Sequence, residues 1–304
     1  MKTNYKLTQT LKMRKILKTL AMLVLVVLVS CKPQPEDLVP SYLSINSADL
    51  QADNLQGTAY SKITDIWVYD GNTLIGAFEL PFRCPIIKEG NTAFNFYAGI
   101  KMNGIKGTRV PYPFYDVSEQ NIELFKDSIV SIDNITFKYH NRSVFQFIED
   151  FESPNNTFEK TNFSNIDIER FSFPELNNLV EGETNNYAAG AKVATDTLFF
   201  EWQTVNNYEL PTNGRECFLE LSYKCNIGFS VGIITQGTAP IQHPILNINP
   251  SEAWNKIYVN LTATLSNFSS SKKFKIYFTG RNIGNTNEFS EVYLDNIKLI
   301  NFPE

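Results

Sequence analysis

From Ser41 onward, apolar and polar residues alternate in short bursts broken by turn signals, and this period of two predicts strands rather than helices. Lys62 to Tyr69 is rich in β-branched and aromatic residues, Asp70-Gly71-Asn72 supplies the glycine a tight hairpin needs, and Thr73 to Leu80 runs back. A second hairpin turns at Glu89-Gly90-Asn91. On its returning arm, Thr92 to Ala98, the residues Phe94, Phe96 and Ala98 alternate with Ala93, Asn95 and Tyr97. Gln120 to Lys126 and Ile129 to Tyr139 complete about seven strands in roughly 100 residues, the pattern of an immunoglobulin-like or transthyretin-like β-sandwich over residues 41–140. His140-Asn141-Arg142-Ser143 interrupts the pattern. A new run starts at Val144, and strand-like stretches follow near Ala189–Thr195, Thr197–Gln203, Glu216–Lys224, Phe229–Thr235, Lys256–Leu261, Lys273–Thr279 and Glu291–Asn301. They predict a second, larger β-sandwich over residues 144–302, so the expected fold class is all-β.

The N-terminal pattern is different. Lys2, Lys6, Lys12, Arg14, Lys15 and Lys18 precede an uninterrupted apolar run from Leu20 to Val29. Ten apolar residues are about half of the roughly 20 that span a bilayer as a helix, which makes residues 1–30 a signal peptide. Leu28-Val29-Ser30-Cys31 resembles the lipobox of bacterial lipoproteins. That resemblance implies diacylglycerol on the Cys31 sulfur, cleavage before it, and acyl chains such as palmitate in the membrane, each buried methylene contributing about 0.8 kcal/mol. Residues 31–40, with Pro33, Pro35 and Pro40, read as an extended tether.

Residues 1–30 hold six of the 27 Lys and Arg and none of the 32 Asp and Glu, so the remaining chain carries 21 against 32, a net charge of −11. This excludes nucleic acid as a natural partner and leaves no electrostatic attraction to anionic headgroups. After Cys31 three cysteines remain. Cys217 and Cys225 bound one alternating run and would lie about 26 Å apart on a single strand, beyond disulfide reach. All three read as small buried hydrophobes, a bridge from Cys84 to either of the others being the exception to test.

The second sandwich resembles the jelly-roll domains appended to secreted carbohydrate-active proteins, through its opening Glu149-Asp150-Phe151-Glu152, its late Trp254-Asn255-Lys256-Ile257-Tyr258-Val259 and its closing Val292-Tyr293-Leu294-Asp295-Asn296-Ile297. The resemblance implies a structural calcium ion held by Glu152 and Asp295, with Asp150 as the substitute ligand, and no organic cofactor. The whole chain, including Gly99–Arg109 and Tyr112-Pro113-Phe114-Tyr115, looks like uncharacterised surface lipoproteins of the Bacteroidota. That likeness implies an outer-membrane location, and Glu36 and Asp37 after the lipid site resemble the acidic signals for outward display in that phylum.

Catalytic signatures are sparse. Gly228-Phe229-Ser230-Val231-Gly232 has the spacing of a nucleophile elbow but sits inside an alternating run, where a strand is expected instead. His140 and His243 are the only histidines, and no Glu-x-Asp-x-x-Glu strand of a retaining glucanase occurs. Trp202 and Trp254 are expected in the core. Trp67 and Tyr69 share a strand face opposite Ile66 and Val68. Asp127-Ser128-Ile129 and Asp196-Thr197-Leu198 resemble Bacteroidota O-glycosylation sequons. The expected binding element is the connection Lys101–Asp116, with Arg109, Tyr112, Phe114 and Tyr115, since Tyr and Arg carry much interface energy. The sequence therefore predicts a non-catalytic outer-membrane lipoprotein that docks onto an outer-membrane protein complex through this loop. The alternatives are a glycan-binding lipoprotein of a nutrient-capture system and a glycoside hydrolase.

Overall fold

The computed structural model describes residues 39–176, 186–194, 199–236, 239–268, 273–282 and 287–303. Strands dominate them, as the alternation predicts, with two four-residue helices, α1 (Phe173–Leu176) and α2 (Thr262–Leu265).

Strand β1 (Ser41–Gln51) lies between β4 (Phe82–Ile86), to which it is antiparallel, and β8 (Ile129–Lys138), to which it is parallel. The facing sheet is built on β5 (Gly90–Lys101). One edge of β5 holds the hairpin of β2 (Asp65–Asp70) and β3 (Thr73–Glu79), and the other pairs with β6 (Arg109–Pro111) and β7 (Ser118–Leu124). Alternate residues enter the space between the sheets: Leu43 and Ile45 from β1, Ile66 and Val68 from β2, Phe94 and Phe96 from β5, all fully buried.

The second pair of sheets is antiparallel throughout. One contains β11 (Glu169–Ser172), β12 (Tyr187–Ala194), β20 (Phe289–Asn301), β15 (Cys217–Cys225) and β18 (Ser251–Asn260), with β9 (Val144–Glu149) also on β20. The other runs β10 (Phe158–Lys160), β13 (Phe199–Thr204), β19 (Lys273–Arg281), β16 (Phe229–Thr235) and β17 (Ile241–Ile248), with β14 (Tyr208–Glu209) on β19. The chain passes repeatedly from one sheet to the other, as in a jelly roll. Trp202, Leu219, Phe274 and Leu294 fill the gap between them.

The two sandwiches meet across the outer face of the β15 sheet, and Ser41–Glu304 is one compact unit. On β15, Leu219 and Leu221 point into the jelly-roll core, which turns Phe218, Glu220 and Ser222 the other way. These are buried as well. Glu220 has no exposed surface, and burial alone would raise its carboxyl; Lys256 and Lys298 outweigh that and hold it below the usual carboxylate range. Its Oε2 lies 2.8 Å from Lys256 Nζ, Tyr112 Oη donates to Oε1 at 2.8 Å, and Tyr139 Oη lies 3.1 Å from both oxygens. Lys298 Nζ donates to Tyr139 Oη at 3.1 Å and to the Thr58 carbonyl at 2.6 Å, while Lys256 Nζ donates to the Tyr60 carbonyl at 2.8 Å. Backbone contacts add to this: Asn103 N–H donates to the Tyr258 carbonyl at 2.8 Å, and Asn260 N–H to Asn103 Oδ1 at 2.8 Å.

Removing the carboxylate strands two buried ammonium groups. Glu220→Gln is expected to lower unfolding stability by about 3–5 kcal/mol in chemical denaturation. Because the folded carboxyl titrates below its unfolded value of about 4.3, the contribution of Glu220 is complete above that pH and is lost as pH falls through the folded value. Acid melting curves of wild type and Glu220→Gln should therefore converge only as pH falls below the folded titration point of Glu220, itself under the unfolded value of about 4.3.

Candidate functional site

The jelly roll has a second outer face, on the β19 sheet. Trp202, Val231 and Ile276 point inward with no exposure, so the residues between them form this face. Cross-strand register sets them in rows. Glu159, Gln203, Tyr277 and Gly232 make one row, and Glu201, Thr279, Ser230 and Asn247 the next.

Tyr277 is central. A Cβ on Gly232 would stand 2.6 Å from the Tyr277 ring and 2.3 Å from the His243 carbonyl, so only glycine lets the ring lie against the sheet. Burial, then Glu201, pushes the Tyr277 hydroxyl up to about 12. On one side of this row is a cavity of about 420 Å³ lined by Glu159, Thr161, Phe163, Glu201, Gln203 and Gln242. Gln203 Nε2 and Lys275 Nζ donate to Glu159 Oε1 at 3.0 and 3.2 Å, and Thr161 Oγ1 donates to Glu201 Oε1 at 2.7 Å. Phe163 stands 78% exposed at its edge. On the other side a cavity of about 540 Å³ is lined by Phe199, Ser230, Asn247, Thr279 and Arg281. The arrangement offers fixed hydroxyl, amide and carboxylate groups with an apolar ring at either end, which suits a polyhydroxylated ligand.

The residues singled out from sequence fall elsewhere. Cys31 lies outside the described residues, as does Asp196-Thr197-Leu198. The aromatic loop does not form an exposed docking surface: Tyr112, Phe114 and Tyr115 are buried. Tyr112 packs 4.8 Å from Tyr258 and 5.5 Å from Phe218, ring centre to ring centre, and Phe114 packs 5.9 Å from Phe218. The physical reason is the carboxylate of Glu220, which takes the Tyr112 hydroxyl and makes the loop's partner the second sandwich of the same chain. Arg109 pairs with Glu79, its Nη2 2.6 Å from Oε2.

The donor set expected for calcium does not fit an ion. Glu152 Oε1 accepts from the backbone N–H of Asn186 at 2.6 Å and of Tyr187 at 3.0 Å, and Oε2 accepts from Asn186 Nδ2 at 3.1 Å. Asp295 accepts both the backbone and side-chain N–H of Asn296, at 2.7 and 3.2 Å, while Asp150 accepts from Glu152 N–H at 3.1 Å. The Phe151 and Glu152 carbonyls receive a cation, but it is the Arg170 guanidinium, at 2.6 and 2.8 Å, which also stacks 3.6 Å over Tyr187. Among the described residues no three His, Cys, Asp or Glu gather as metal ligands.

Ser230 lies on β16 and donates to Asn247 Oδ1 at 2.6 Å, so the Gly-x-Ser-x-Gly spacing is strand and not nucleophile elbow. His243 contacts Thr235 Oγ1 at 3.2 Å, and His140 Nδ1 accepts from the Arg142 backbone. Trp202 is core, its Nε1 donating to the Ile166 carbonyl at 3.1 Å. Trp254 is half-buried beside Phe173, and Trp67 Nε1 donates to Asp65 Oδ2 at 3.0 Å. Cys84, Cys217 and Cys225 are free and buried, and burial raises all three thiols, Cys84 and Cys225 to about 11. The face residues Glu159, Gln203 and Tyr277 escaped the sequence reading. Their signal was the polar register of Glu201-Trp202-Gln203 and of Lys275-Ile276-Tyr277-Phe278-Thr279, which says outward but not toward what.

No protein-family model and no curated protein matches the chain. Among solved structures it is similar to a xylan-binding domain of carbohydrate-binding module family 22, at 11% identity and TM-score 0.34 over 52% of this chain and 95% of that one. A family 30 carbohydrate-binding module of a Clostridium thermocellum cellulosomal cellulase overlaps 52% of this chain and 96% of its own, at 14% identity and TM-score 0.34. An exo-β-agarase overlaps 53% of this chain and 26% of its own, at 11% identity and TM-score 0.35. Such scores carry no argument about function.

The Arg170 arrangement predicts that chelation followed by calcium addition leaves the melting temperature unchanged. Arg170→Gln, in contrast, should cost about 1 kcal/mol through the two carbonyl contacts it gives up.

Proposed function

We propose that this protein is a non-catalytic, glycan-binding lipoprotein, held to the outer membrane through lipid on Cys31 and displayed outward. The observation that carries the binding reading is the polar face of Glu159, Gln203 and Thr279, flanked by two cavities of 420–540 Å³ whose walls combine amide, hydroxyl and carboxylate groups with Phe163 and Phe199. A saccharide needs many directional hydrogen bonds and an apolar surface for its C–H faces, and this face supplies both. The docking-subunit reading loses its support, because the loop that was to carry it is buried against Phe218, Glu220 and Tyr258.

A hydrolase would need two convergent acids, and Glu159 and Glu201 do line one cavity. Both are already engaged, Glu159 with Lys275 and Gln203, and Glu201 with Thr161. They serve as fixed acceptors for sugar hydroxyls.

A glycan array followed by calorimetric titration of each hit tests this. Phe163→Ala and Gln203→Ala are each expected to weaken binding about tenfold, about 1.4 kcal/mol, with melting unchanged. Hits whose affinity ignores both substitutions would place the site elsewhere, and hits that shorten during incubation would make Glu159 and Glu201 a catalytic pair.

A further inference from the structure

The first sandwich has two ends, and only one meets the jelly roll. Met102, just past β5, bridges to Tyr258, and Tyr139, just past β8, bonds to Glu220. At the other end of the same strands lie Gly90, paired with Leu124, and Ile129, paired with Tyr42. The 12 residues of β5 put about 40 Å between these ends.

The far end is also where the chain enters the fold. Fully buried Ser41 starts β1, and its hydroxyl donates to the carbonyls of Lys88, at 3.1 Å, and Phe125, at 2.7 Å, tying the β4–β5 and β7–β8 loops to it. An ion pair between Lys88 and Asp70 brings up the β2–β3 hairpin. These elements expose large apolar side chains: Ile87 at 61%, Phe125 at 59%, Ile129 at 50% and Leu74 at 46%. Two ion pairs lie among them, Lys88 with Asp70 and Lys126 with Glu89 at 3.4 Å, and the exposed Asp127 carboxylate leaves the tip with one net negative charge. Such a tip gains nothing electrostatically from an anionic surface, and only its apolar side chains, not Asp127, suit burial below the headgroups.

We infer that this tip, led by Ile87 and Phe125, inserts into the interface of the lipid bilayer to which Cys31 is anchored. The inference rests on the Cys31 reading. Ser41 follows Cys31 by ten residues, and a fully extended chain of that length reaches at most about 36 Å, so the tether holds this end within that distance of the membrane. Apolar loop tips with few uncompensated charges match the acyl and headgroup boundary, where burial of a few large side chains adds to the hold of the acyl chains. The same geometry points the jelly roll away from the bilayer.

The mature chain from Cys31 can be coupled to a maleimide-bearing lipid in zwitterionic phosphatidylcholine vesicles. Cys84, Cys217 and Cys225 are buried, so Cys31 reacts alone. With acyl-brominated phosphatidylcholine in the vesicles, the emission added by Phe125→Trp should fall at least twofold and be insensitive to salt. That added by Leu55→Trp, an exposed position past the opposite end of β1, should not change. Equal emission from both variants on brominated and plain vesicles overturns the inference, whichever protein partner then covers the tip. Separately, an N-terminal peptide of the processed protein without acyl mass overturns the anchor itself.

Discussion

A carboxylate without solvent must be surrounded by donors or the fold around it fails. Glu220 is such a group, set at the middle of a jelly-roll strand and pointing out of the jelly roll. Lys256, from the neighbouring strand of its own sheet, provides one donor, but the hydroxyls of Tyr112 and Tyr139 come from the first sandwich. Lys298 is neutralised within the same cluster and reaches across to Thr58. Neither sandwich can satisfy these groups alone. The cost of leaving them unsatisfied is several kcal/mol, comparable to the whole stability of a domain, and it forces the two sandwiches into one arrangement.

That arrangement divides the labour of the molecule. The first sandwich covers one face of the jelly roll and leaves the outer face of the β19 sheet uncovered by it. It also separates the β19 face from strand β1, because its strands run from Ser41 and Gly90 at one end to Met102 and Tyr139 at the other. On the reading we propose, with lipid on Cys31 and a ligand on the β19 face, the first sandwich is a spacer between bilayer and ligand.

The strands were legible because alternation is a local property. Phe94, Phe96 and Ala98 face inward as their spacing says, and the turns at Gly71 and Gly90 do have positive φ. The interface was not legible, because a buried polar face and a solvated one share the same pattern. In Cys217-Phe218-Leu219-Glu220-Leu221-Ser222, Glu220 and Ser222 look like a wet face and are fully buried. The aromatic loop misled for the related reason that tyrosines suited to an external partner suit an internal carboxylate equally well. Glu152 and Asp295 carry the residue types of a calcium site, but ligand geometry depends on what else arrives, and here Arg170 takes the carbonyls. The candidate face was half legible: the alternation places Glu201 and Gln203 outward, while Phe163 and Glu159 join them only through tertiary folding.

The central claim is that the Glu220 cluster makes two sandwiches a single cooperative body. Differential scanning calorimetry of the mature chain tests it most directly. One transition, with calorimetric and van't Hoff enthalpies in a ratio of about 1, is the predicted result. Two resolved transitions at neutral pH, one for each sandwich, would contradict it.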